Sequence, residues 1–206
     1  MTHGVIIRRS STALAAVLGT FAVGSASASA MTLADFSAAV NAAMATCTGP
    51  TLTQPFALLN DANYYAPLPG ESWDSFPATN WSLSGGAKVV TTKLADGATG
   101  TALDLPASAK AVSSAVCLTN DYPSARGQIR SVSGSAGVTV TVTYLGPKQQ
   151  SAGFLASTSS AWSLAAPVTL DASTTTGWQL AQFTFVAANK GEYQLSNFYV
   201  DPKMRH

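Results

Sequence analysis

Glu71-Ser72-Trp73-Asp74-Ser75-Phe76-Pro77-Ala78-Thr79-Asn80-Trp81-Ser82-Leu83-Ser84-Gly85-Gly86-Ala87-Lys88-Val89-Val90 reads as two short strands with a turn between them. Pro77 and Asn80 interrupt the extended run, and Gly85-Gly86 marks a bulge or a second turn. Working outward, short runs rich in Val, Thr, Leu and aromatic residues alternate with Gly, Pro, Ser and Asn clusters from Tyr64 onward. Strands are predicted near 63–67, 72–76, 81–84, 87–93, 101–105, 110–118, 127–133, 137–145, 152–157, 162–164, 168–171, 178–187 and 192–200. Short strands at this spacing predict an all-β protein, a two-sheet antiparallel sandwich.

Upstream the periodicity is different. Leu33, Phe36, Val40 and Met44 recur at helical spacing, with Thr32 placed as N-cap, so one short N-terminal helix is expected to brace the sandwich. Residues 1–30 carry Arg8-Arg9, an apolar run from Ala13 to Val23, and Ala26-Ser27-Ala28-Ser29-Ala30, the three zones of a secretory signal peptide. The flanking residues fit the general export route better than the twin-arginine one. The apolar run is too short to span a bilayer, and Cys47 is too far beyond it for a lipid anchor, so a secreted protein without membrane insertion is expected. The expected division is 1–30 signal peptide, 31–46 helix and 47–206 sandwich domain.

Charged residues make up only 10% of the 206. Removing residues 1–30 takes away Arg8 and Arg9 but no acid, which moves the formal charge from +1 to −1. A nearly neutral chain with no basic stripe is a poor partner for nucleic acid or an anionic membrane. The sequence assigns no oligomeric state. Cys47 and Cys117 are an even count in an exported chain, so a disulfide is expected.

Catalysis has little to draw on. His3 and His206 are the only histidines, one in the leader and one at the last position, which leaves a Ser-His-Asp, Cys-His or histidine-zinc arrangement without its central group. Glycoside hydrolysis needs two carboxylates across a cleft, and most acids here stand in turn contexts such as Asn60-Asp61 and Asp96-Gly97. The expectation is a protein that is not an enzyme.

Strand parity suggests a binding face. Val138, Val140, Val142 and Tyr144 share one side of their strand and Thr139, Thr141 and Thr143 the other; Ala181, Phe183 and Phe185 point inward, leaving Trp178, Leu180, Gln182 and Thr184 outward. The closing strand puts Phe198 and Val200 in, and Asn197 and Tyr199 out. If these outward sides belong to one sheet, Thr139, Thr141, Thr143, Trp178, Gln182, Thr184, Asn197 and Tyr199 form a shallow polar surface with aromatic platforms, edged by Gln128 and Arg130. Aromatic faces pack on the C–H faces of sugar rings while polar neighbours bond the hydroxyls. Tyr122 is placed to reach in from a loop, whereas Trp73, Trp81 and Trp162 are expected as core plugs.

The Trp81–Ala87 segment, Pro55-Phe56, Leu105-Pro106-Ala107, Cys117 and Phe198-Tyr199-Val200-Asp201-Pro202 together resemble a group of exported actinobacterial proteins. These are in turn similar to galactose-binding-like jelly rolls and carbohydrate-binding modules, and the resemblance covers about residues 47–203. It implies a jelly-roll sandwich without a catalytic cofactor. It also implies a structural calcium ion at the positions matching Asp74 and Asn197, where the family usually has Glu and Asp. The expected function is weak binding of a neutral polysaccharide; the alternative is a structural or adhesive surface protein with no small-ligand site.

Overall fold

The structure, a computed structural model, describes residues 33–47, 52–68, 80–145, 150–170 and 177–201. Among the described residues one α-helix, α1 (Leu33–Ala45), precedes thirteen strands: β1 (Ala66–Pro67), β2 (Ser82–Ser84), β3 (Lys88–Lys93), β4 (Thr99–Leu105), β5 (Lys110–Val112), β6 (Val116–Leu118), β7 (Ser124–Ser133), β8 (Gly137–Leu145), β9 (Gln150–Ala156), β10 (Ser163–Leu164), β11 (Val168–Thr169), β12 (Gln179–Ala187) and β13 (Glu192–Asp201). They form two antiparallel sheets. A seven-stranded sheet runs β10-β7-β13-β4-β3, with β1 on β13 and β11 on β7; a six-stranded sheet runs β2-β5-β12-β8-β9, with β6 on β12. This is the expected jelly-roll sandwich with its short helix.

The inner faces follow from the two-residue period. Phe183 stands opposite Val142 and Phe185 opposite Val140 on the six-stranded sheet, while Leu195 of β13 faces Leu103 and Ile129 on the other. All are fully buried. Phe198 comes down between the sheets, its ring edge-on to Phe185 at 4.9 Å and to Phe183 at 5.5 Å. Each such phenyl stabilises the fold by roughly 1.5–3 kcal/mol through area removed from water, and the edge-to-face geometry adds about 1 kcal/mol. Trp81 stacks on Phe185 at 5.6 Å, which makes it the core plug that was expected.

Ser82–Ser84 and Lys88–Lys93 belong to different layers. β2 pairs with β5 in one sheet and β3 with β4 in the other, so Gly85-Gly86 turns the chain from sheet to sheet. Gly85 has φ +66, and a Cβ there would stand 3.0 Å from the Ala109 Cα, so neither the conformation nor the space suits a side chain. The strand expected at 72–76 lies outside the described residues. The run 110–118 is split into β5 and β6 at Ser113, whose N–H still donates to Phe183 O at 2.8 Å while its Oγ, in place of its carbonyl, accepts the Phe183 N–H at 3.0 Å.

Two attachments fix the N-terminal part. Cys47 and Cys117 form a disulfide with Cα atoms 5.8 Å apart. α1 lies against β12, and Leu180, outward by parity and paired with Cys117, is buried there. The second attachment covers the opposite sheet. Phe56 packs edge-on against Tyr65 at 5.0 Å and Tyr199 at 5.6 Å, making a small apolar cluster outside the main core.

Candidate functional site

On the outer side of the seven-stranded sheet, β7 presents Arg126, Gln128 and Arg130 in alternation, and β13 presents Gln194, Ser196 and Tyr199 opposite them. The register slips between Ser196 and Tyr199, so Asn197 and Phe198 together face Gly127. This is a β-bulge. Phe198 keeps its place in the core because Gly127 has no side chain; a Cβ there would sit 2.7 Å from the phenyl ring. Asn197 takes the left-handed φ of 50°, which Asn tolerates better than most residues. Its Nδ2 donates to Gln128 Oε1 at 3.3 Å, joining two amides into one polar floor.

Above this floor opens a cleft of about 460 Å3. One wall is the β3–β4 hairpin, with Leu94, Ala95, Asp96 and Ala98; the other is the segment from Gln54 to Leu59. Both walls are set by local geometry. In the hairpin, Asp96 Oδ1 accepts the Ala98 N–H at 2.9 Å and Leu94 closes the turn through its own N–H to Ala98 O. The opposite wall is a 3₁₀ turn, Ala57–Leu59, stopped by Asn60 in the left-handed region. Leu58 is 85% exposed on its rim, a large apolar side chain offered to whatever enters.

Ion pairing holds that wall down. Asp61 is buried, accepts the Tyr65 hydroxyl at 2.7 Å and pairs with Arg126 at 2.5 Å. Burial alone would raise the Asp61 pKa; the bonds from Tyr65 and Asn63 and the Arg126 charge outweigh it, and the carboxyl is held below its ordinary value. Arg126 Nε also donates to Ala165 O at 3.0 Å.

Beyond Gln128, the row of Arg130 carries a second network. Arg130 donates from Nε and Nη2 to Gln194 Oε1 at 3.0 and 2.7 Å, and from Nη2 to Thr92 Oγ1 at 2.7 Å. Gln194 passes the chain on to the buried Asp104 at 2.9 Å. Burial and the neighbouring Asp104 push the Glu192 carboxyl above its ordinary value, against the opposing charge of Lys88. These two carboxyl groups share one neighbourhood and neither lines the cleft, so they do not straddle a sugar as a hydrolytic pair must.

The eight-residue face expected from parity is not formed. Thr139, Thr141, Thr143, Gln182 and Thr184 share the outer side of the six-stranded sheet, where Thr141 stands opposite Thr184 and Thr143 opposite Gln182. Asn197 and Tyr199 belong to the other sheet, on the far side of the sandwich. Tyr199 does point outward, but it is 1% exposed because Phe56 and Tyr65 cover it. Trp178 is half-buried against the core and tilted over Tyr122 at 6.3 Å, and Tyr122 is itself buried. Trp162 is no core plug: it stands over Arg130 on the outer side. Gln128, expected only at the edge of that face, is bonded to Asn197. The bulge that turns them together depends on Gly127, a residue whose role no periodicity signals.

Trp178→Ala is therefore expected to lower stability by about 2 kcal/mol, less than the roughly 3–5 of a fully buried Trp, and to leave the cleft intact. Thermal melting checks the first part. An unchanged melting temperature would return Trp178 to the surface.

Calcium at Asp74 and Asn197 meets a fit problem. Asp74 lies outside the described residues, Asn197 offers one neutral amide oxygen, and one oxygen of Asp96 accepts the Ala98 N–H. Among the described residues no group of three or more His, Cys, Asp or Glu side chains converges. A hard cation takes about six to eight oxygens, and the acid expected to lead that set, Asp74, lies outside the described residues.

No protein-family model and no curated protein matches the chain. Among solved structures, it is similar to a family 11 carbohydrate-binding module from Clostridium thermocellum in complex with a β-1,3-1,4-mixed-linked tetrasaccharide, at 15% identity over 61% of this chain and 89% of that one, with a TM-score of 0.38. It is also similar to a CBM22-1 xylan-binding domain from Paenibacillus barcinonensis, at 18% identity over 61% and 87%, with a TM-score of 0.43. An exo-β-agarase is similar at 9% identity over 62% of this chain and 24% of the enzyme, with a TM-score of 0.44.

Proposed function

We propose that this is a secreted, noncatalytic carbohydrate-binding protein that takes a neutral glycan weakly in the cleft on the outer side of the seven-stranded sheet, without a metal or other cofactor. The observation that carries the reading is the bulge: a non-glycine residue in the left-handed region, Asn197, turns its amide beside the buried amide of Gln128, at the bottom of a cleft with apolar walls. β-Bulges that re-aim a side chain are over-represented beside functional sites. Amide donors and acceptors suit hydroxyl-rich ligands, the apolar walls suit the C–H faces of the rings, and the near-neutral chain favours a neutral glycan. Each hydrogen bond, exchanged against water, contributes about 1 kcal/mol, so affinity stays low.

Asn197→Gly tests this without disturbing the fold, because Gly adopts the left-handed conformation at no steric cost. Retention of wild type and variant is compared on a panel of mixed-linkage glucan, xylan, galactan and starch. Wild type should be retained by at least one, and loss of one amide contact, about 1 kcal/mol, should weaken that binding about fivefold. Equal binding by a folded variant would move the site elsewhere. Chelator should change neither binding nor melting temperature; a drop in either would return calcium to the account.

A structural or adhesive role is the second reading. Phe154, 49% exposed, stands beside the exposed Thr139 on the outer side of the six-stranded sheet. That flat strip of hydroxyls with one exposed ring suits contact with an extended surface. Retention on no glycan, with Phe154→Ser reducing adhesion, would favour it.

A further inference from the structure

β10 and β3 are the two edges of the seven-stranded sheet's main path, four strand spacings apart. Laid flat they would be separated by roughly 19 Å. Yet Trp162, the residue just before β10, donates from Nε1 to Lys93 O of β3 at 2.7 Å. Arg130 of β7 likewise reaches Thr92 of β3 at 2.7 Å. The sheet is thus curled, with its outer side concave, and the concavity is crossed by an arch: the Arg130 guanidinium over Gln194, with the Trp162 ring 5.0 Å from it.

The cleft lies just inside this arch. Along β7 its floor residue, Gln128, sits between two blocked rows: Arg130 under Trp162 on one side, and Arg126 under Asp61 and Tyr65 on the other. Across the strands the hairpin 94–98 and the turn 54–59 close the remaining sides. A through-going groove would leave two opposite sides open. Here the rows on either side of the floor residue are both covered, and the volume of 460 Å3 falls in the range of small-ligand pockets, about 300–1,000 Å3.

We infer that the site, taken as the glycan site proposed above, receives chain ends or short free oligosaccharides of a neutral glycan and does not bind along the interior of a polymer. The arch is then a specificity element. Trp162 sets how much of a chain fits, through position and not through stacking on the sugar.

The test uses the retained polysaccharide of the panel, intact and after graded partial depolymerisation, titrated calorimetrically with the full protein. Binding sites per gram of glycan should rise by the same factor as the number of chain ends. A capacity per gram that stays constant through the series would overturn the inference while leaving the glycan reading in place. Absence of binding to both intact and fragmented glycans would overturn the two together. To separate polymer ends from free oligosaccharides, purified short fragments compete with the intact polymer; equal affinity per end is expected, and failure of fragments to compete would contradict the inference. Trp162→Ala, checked for folding by melting, should raise the capacity of the intact polymer, and Trp162→Phe, which keeps a ring over Arg130, should raise it less. Should Trp162→Ala not fold, the wild-type fragment series decides alone.

Discussion

Replacing Cys47 and Cys117 together by alanine is expected to cost about 4 kcal/mol of unfolding free energy, the chain-entropy value for a closed loop of this size; the bridged residues are 70 apart in sequence. The effect is large because the disulfide crosses between the end of the helix and β6, and without it α1 keeps only its packing on β12, where Val40 is buried. At roughly 2–4 °C per kcal/mol for a protein of this size, the melting temperature should fall by about 10 °C. Urea denaturation with and without the bridge checks this. Coincident curves, or free thiols in the protein from its natural host, would contradict it.

The second large effect is expected at the wall of the cleft. Asp61→Asn removes the direct ion-pair partner of Arg126, leaving the Asp201 carboxylate as its nearby opposite charge. The cost should be about 2–3 kcal/mol, below the roughly 3–5 of a fully buried pair because Arg126 is about a quarter exposed. The pH dependence has a definite sign. The Asp61 pKa is lowered in the folded protein, so its contribution is complete above the unfolded carboxylate value, about 4, and is lost as the pH falls through the lower folded value. Glu192 and Asp201, both raised mainly by burial, act in the opposite sense. The difference between wild type and Asp61→Asn cancels Glu192 and reports Asp61 together with its repulsion of Asp201: it should be near constant from pH 7 to 5 and shrink below about 4. A difference that does not change with pH would show that the pair is not what holds the segment. Because residues 54–59 form one wall, the variant should also bind glycan more weakly.

Periodicity made the two sheets legible. Val138-Val140-Val142-Tyr144 and Ala181-Phe183-Phe185 each point to the core as a two-residue period requires, and the structure pairs them across β8 and β12. The even cysteine count in a chain with a leader-like N-terminus pointed to the disulfide that is present. The site was legible only in fragments. Parity assigns a side chain to one side of its strand, but not the strand to a sheet, so the Thr139 and Asn197 faces were joined although they lie on opposite sides of the sandwich. Parity is also blind to what a loop lays over a sheet, and Tyr199 vanished beneath Phe56 and Tyr65 for that reason. The bulge at Asn197 depends on a glycine one strand away. The arch of Trp162 depends on curling of the whole sheet. Neither long-range condition leaves a mark within a window of neighbouring residues.

The most direct test of the cleft as the binding site is an amide chemical-shift titration of the ¹⁵N-labelled protein with short oligosaccharides of the retained glycan. The account predicts the largest shifts at the side-chain amides of Gln128 and Asn197 and the backbone amides of Leu58, Asp96 and Ala98, with Thr139, Thr141 and Thr143 unmoved. Shifts confined to the threonine strip on the six-stranded sheet, with Gln128 and Asn197 silent, would contradict it.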